Sequence, residues 1–136
     1  MFSTSLFSQK LIINSKNEST FEIANKNQLN FIEEHELIHK YVIDFDKKTV
    51  ESFFGNSPDF LINADGVLPF KDVNKVLEFK NDKFSNFTIE VFYPKFNKTL
   101  TITLSKLSVS DEFVLCTSWD NDNLVFFKNN VTVNFE

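Results

Sequence analysis

Asn30–Lys48 reads "NFIEEHELIHKYVIDFDKK", and two periodicities compete for it. Phe31, His35, Ile38 and Val42 recur at the three- and four-residue spacing of one helix face. His39, Tyr41, Ile43 and Phe45 instead alternate with Lys40, Asp44 and Asp46, the period of a half-buried strand. No glycine, proline or asparagine separates the two patterns, so a helix through His39 would have to become a strand without turn chemistry. The expectation is a short helix over 27–38 followed by a strand from His39.

The same stretch contains "HELIH" (35–39), which matches H-E-x-x-H. On a helix His35 and His39 would share a face and could bind zinc, with Glu36 activating a zinc-bound water. A third ligand is then required. Glu78 in "NKVLEFKND" is the best candidate, and Glu51 and Asp59 are weaker ones, since the chain has no other histidine. On a strand the two imidazoles would still share a face, but Glu36 would point to the opposite one. A small zinc metallopeptidase therefore stands as an alternative, with Glu36 catalytic and His35, His39 and Glu78 on the metal. The main reading carries no cofactor.

Moving outward, the C-terminal half alternates cleanly. "FTIEVFY" (87–93) sets Phe87, Ile89, Val91 and Tyr93 against Thr88 and Glu90, and "TLTITLSKL" (99–107) returns after "PKFNK". "EFVLCTSW" (112–119), "LVFFK" (124–128) and "VTVNF" follow, joined by "DNDN" and by "NN" at 129–130, where asparagine tolerates the positive φ of a tight hairpin. Five consecutive strands predict an antiparallel meander. Towards the N-terminus, "SLFSQKLIIN" and "STFEIA" read as two strands around an "SKNE" turn. "DKK" turns the chain into "TVESFF". "GNSPDFLINADGVLP" (55–69) is the longest loop, and "FKDVNKVLEFKND" (70–82) has the spacing of a helix. The fold class expected is α+β, predominantly antiparallel sheet with one or two short helices, in a single domain over 1–136.

Composition narrows the function. All 14 basic residues are lysine, against 19 acids, for a net charge of −5. A chain without arginine lacks the planar fork for bidentate phosphate and base contacts, and its lysines form no stripe, so neither nucleic acid nor a membrane is expected as partner. Cys116 is alone and cannot form an internal disulfide, and the first residues show no basic segment followed by an apolar run. Both set the expectation of a cytoplasmic chain. No phosphate loop, dinucleotide fingerprint or nucleophile elbow is present.

A small acidic domain without an evident active site is expected to act by binding. The concrete expectation is a bacterial immunity protein that neutralises a cognate basic toxin, such as a nuclease, by electrostatically steered association. A phage-encoded inhibitor would share this physics, whereas an accessory subunit of a larger assembly would need an exposed apolar patch or strand edge. Two segments combine an aromatic with acids and need not build the core. They are Asp59, Phe60 and Asp65 in the long loop, and Trp119, Asp120 and Asp122 in the "WDNDN" turn.

Overall fold

The competition over 30–48 resolves entirely in favour of the strand. In the computed structural model, which describes residues 10–25, 28–73, 87–106 and 112–135, Gln28–Asp44 is one continuous strand, β2. It lies antiparallel to an equally long β1, Lys10–Asn25, with partners from Lys10↔Asp44 to Asn25↔Gln28. Pairing with β1 along this whole length, and with β3 from Ile38 to Asp44, overrides the weak helical stripe through Phe31 and Ile38.

Seven further strands follow: β3 (Thr49–Gly55), β4 (Val67–Asp72), β5 (Phe87–Tyr93), β6 (Lys98–Lys106), β7 (Phe113–Trp119), β8 (Leu124–Asn129) and β9 (Thr132–Phe135). They form one antiparallel sheet in the order β2-β3-β4-β5-β6-β7-β8-β1-β9, and β2 also pairs with β1. That last pairing joins the two sides of the meander and closes it into a ring. β8 and β9 occupy successive stretches of the same β1 edge, at Asn17–Glu22 and Leu11–Asn14. The result is an up-and-down barrel of eight strand positions, the size at which side chains just fill the interior.

The inner face follows period 2. Ile43 and Tyr41 of β2, Val50 of β3, Phe70 of β4, Phe87, Ile89, Val91 and Tyr93 of β5, and Leu100, Ile102 and Leu104 of β6 are buried, with Leu115 of β7 and Leu11 and Ile13 of β1. Each such side chain contributes about 1.5–3 kcal/mol relative to exposure. The tight turns use local chemistry. The Asp44 carboxylate accepts from the Asp46 and Lys47 amides, both at 3.0 Å, and Asn97 and Asn121 take positive φ of 53° and 64°.

The expected α+β class is corrected by this architecture: the described residues are all strand and turn, with no helix. The helix expected over 27–38 is β2 from Gln28 onward, and Asn27 lies outside the described residues. The helix over 70–82 fails at its start, where Phe70, Lys71 and Asp72 pair with Val91, Glu90 and Ile89 of β5, and its remainder from Asn74 lies outside the described residues. "SKNE" is not a turn between two strands but a register slip inside β1, between Ser15 and Asn17. Asn130 does take a positive φ, 54°, yet no hairpin forms, since β8 and β9 both run antiparallel to β1. The residue kinks one strand path instead of reversing it. No helix among the described residues is long and apolar enough to cross a membrane.

Candidate functional site

The slip in β1 decides which side chains line one end of the barrel. Before it, Leu11, Ile13 and Ser15 face inward opposite Ile43, Tyr41 and His39. Three residues of β1 then span four of β2, and the inward parity passes to Glu18, which lies opposite His35 on one side and Lys128 on the other. Lys128 belongs to the inner face because it also pairs with the buried Leu115. Glu18, Lys128 and His39 thus share the interior of a ring whose other half is apolar, with His35, 42% exposed, at its mouth.

These groups are mostly held by one another. The buried Lys128 ammonium bonds the Glu18 carboxylate and lies 5.7 Å from the Phe126 ring centre, while the other Glu18 oxygen is 3.1 Å from His35 Nε2. Burial pulls the Lys128 pKa down and Glu18 opposes that pull. His39 is stacked on Tyr41, with ring centres 5.6 Å apart, and lies 6.1 Å from Phe54. Its Nδ1 is buried without a hydrogen-bond partner, and burial, then Lys128, then His35 lower its pKa to about 3. The imidazole is therefore neutral at ordinary pH. Ser15, directly across the ladder from His39, also has a buried hydroxyl without a partner. Burial raises the Tyr41 pKa strongly, with Tyr93 and Glu18 adding to it; burial raises Tyr93 too, opposed by the 3.4 Å contact of its hydroxyl with Ser52 Oγ.

The strand also sets the geometry of "HELIH". His35 and His39 share the inner face, as period 2 requires, and Glu36 lies on the opposite one, paired with Asn17. His35 is engaged by Glu18. Glu51 accepts a 3.2 Å hydrogen bond from Asn63, Asp59 lies in the β3–β4 loop, and Glu78 is outside the described residues. Among the described residues no three histidine, cysteine, aspartate or glutamate side chains gather as a metal site.

In an up-and-down barrel alternate connections lie at the same end. The β1–β2, β3–β4, β5–β6 and β7–β8 connections share the end lined by Glu18, His39 and Lys128. Asp59, Phe60 and Asp65 of the first loop singled out from the sequence, and Trp119, Asp120 and Asp122 of the second, therefore stand on one rim. Their surroundings differ. Phe60 is 78% exposed. Trp119 is half-buried, edge-on to Tyr93 and Phe96 at 5.1 and 5.7 Å, and lines a recess of about 400 Å³ with Phe96, Lys98 and Asp122. Asp120 is a local staple: its carboxylate accepts the Thr99 amide and its own amide reaches the Thr99 carbonyl, both at 2.9 Å. Asp122 lies 3.5 Å from Lys98. Asp65 is close enough to Tyr93 to raise its pKa, and Lys95 ties the β5–β6 turn to the Ala64 carbonyl.

Comparison with known proteins returns no matching family model, no matching curated protein and no matching solved structure.

The interior pair Glu18–Lys128 escaped the sequence. A signal for half of it exists: Leu124, Phe126 and Lys128 fall on one parity of a short apolar strand, so the lysine must either face inward or break the alternation. Nothing comparable marks Glu18, because the slip at Lys16 resets the parity before it.

Proposed function

We propose that this chain is a stoichiometric inhibitor that binds a basic protein through the loop rim of the barrel. In its most specific form it is a bacterial immunity protein acting in the cytoplasm against a cognate toxin, a nuclease being the natural class. The observation that carries this reading is Phe60, 78% exposed on a loop between Asp59 and Asp65. An apolar side chain of that size held in water beside carboxylates has the form of a binding anchor with a charged surround. Ile62 and Phe96, 58% and 56% exposed, extend the apolar part of the rim. The net charge of −5 favours a basic partner, and the absence of arginine disfavours nucleic acid.

The test is growth rescue. The protein encoded beside this chain's gene is induced in bacteria with and without the chain, and the complex is measured with purified components. Wild-type chain restores growth, and Phe60→Ala weakens Kd by roughly thirtyfold, the scale of a 2 kcal/mol hot spot. Asp59→Lys with Asp65→Lys slows association and flattens its salt dependence. Failure of the wild-type chain to protect against any protein encoded beside it sinks the inhibitor reading. Full protection by the Phe60→Ala, Asp59→Lys, Asp65→Lys variant removes the rim from it.

A further inference from the structure

The β1–β2 hairpin outruns the rest of the barrel. β8 accompanies β1 as far as Glu22, and the Ile23 amide still reaches the Asn123 carbonyl at 2.7 Å. β3 accompanies β2 only from Asp44 to Ile38. Among the described residues, Gln28–Leu37 is therefore paired on its β1 side alone. At about 3.3 Å per residue this leaves an open strand edge about 30 Å long. Such an edge is a template for another strand, because alternate amides and carbonyls point outward unpaired.

The side chains along the edge say what kind of strand fits. Glu33, Glu34 and Glu36 are exposed on it, no lysine occurs between Gln28 and Leu37, and Glu22 lies alongside on β1. Leu29, Phe31 and Ile32 are exposed as well, Phe31 at 59%. Two copies of the chain pairing edge to edge would bring both sets of glutamates together without a counter-charge, which cross-strand pairing penalises. A basic partner meets no such penalty. At the barrel end of the edge, Glu36, Leu37 and Ile38 border a groove of about 450 Å³ that runs between Asn14–Asn17 of β1 and Asn56 and Pro58.

We propose that the open edge of β2, Gln28–Leu37, accepts an extended basic segment of a partner protein as an additional strand. Backbone bonds hold the segment, and lysine or arginine side chains on one face of it answer Glu34 and Glu36, which share a face of β2. The site is separate from the Phe60 rim: either surface can bind without the other.

The probes are three ten-residue peptides mixed with the full chain: alternating Lys-Val, the same peptide with every amide N-methylated, and alternating Glu-Val. Amide exchange is read by NMR. The Lys-Val peptide protects alternate amides across 28–37, the other two do not, and Glu34→Lys with Glu36→Lys weakens Lys-Val binding at least tenfold. Both glutamates are exposed, and an unchanged circular dichroism spectrum confirms that this variant is folded. Three results overturn the proposal. One is no protection at 28–37; another is equal binding of the N-methylated peptide. The third is concentration-dependent protection of 28–37 without peptide, which would place a second copy on the edge.

Discussion

Acid should destabilise this barrel through His39 in particular, and the size of the effect follows from its burial. The ring lies between Tyr41 and Phe54, and its Nδ1 is sealed from water without a partner. Protonation would add a cation to a face that already holds Lys128, hence the folded pKa of about 3 against 6.5 for a free imidazole. Between those values the unfolded chain binds the extra proton and the native chain does not. Stability therefore rises with pH across the window and is lost as pH falls below 6.5. At pH 4.5 the unfolded side chain is two units below its pKa, worth about 3 kcal/mol at 1.36 kcal/mol per unit; the loss levels off near 5 kcal/mol below pH 3. The assay is urea unfolding at pH 7.5, 5.5 and 4.5 for wild type and His39→Phe, which keeps the ring stack and removes the titrating nitrogen. Carboxylates titrate in both proteins and cancel in the difference. Wild type should lose about 3 kcal/mol more than the variant between pH 7.5 and 4.5. Equal losses would refute the assignment of a neutral, sealed His39.

Lys128→Met strands the Glu18 carboxylate inside the barrel and should cost about 3–5 kcal/mol in denaturant unfolding. Adding Glu18→Gln to it should recover part of that loss, and strict additivity would show that the two charges do not interact. Ile102→Ala, at a fully buried position opposite Ile89, should cost about 2–5 kcal/mol; a loss below 1 kcal/mol would contradict its place in the core. Asp120→Lys should cost about 1 kcal/mol because the Thr99 amide loses its acceptor, whereas Asp59→Lys should be neutral in thermal unfolding.

Legibility in the sequence followed burial asymmetry. Strands β5 and β6 bury one face and wet the other, so Ile89, Val91, Ile102 and Leu104 stand out against their threonines and Glu90. Turn chemistry was equally plain where Asn97 and Asn121 take left-handed φ. The first half of β2 carries no such contrast, because residues 28–36 are exposed on both faces of a projecting hairpin, and a chance helical stripe filled the gap. β1 hid for another reason: Lys16 and Asn17 look like turn residues, and only the pairing with β2 shows that the strand continues through them. The two acidic, aromatic loops were visible as loops, and alternating connections bring them to one rim. That Asp120 staples a turn while Phe60 hangs free depends on the Thr99 backbone and could not be read from composition.

The seam at β1 has a consequence for how the chain comes to be folded. Every other neighbouring pair in the ring joins strands consecutive in sequence, but β1 must meet β8 and β9, and the Glu18–Lys128 pair spans 110 positions. During synthesis the ring cannot close until β8 and β9 have left the ribosome, and β1 and β2 must wait as a free hairpin until then. Contacts of such sequence separation fold slowly, on the millisecond-to-second scale of sheet proteins. For that interval β1 presents an unpaired edge on which Glu18 is hydrated and Lys128 has not yet arrived. The ion pair is then a latch made last: its two charges leave water only when the N-terminal strand finds the C-terminal one.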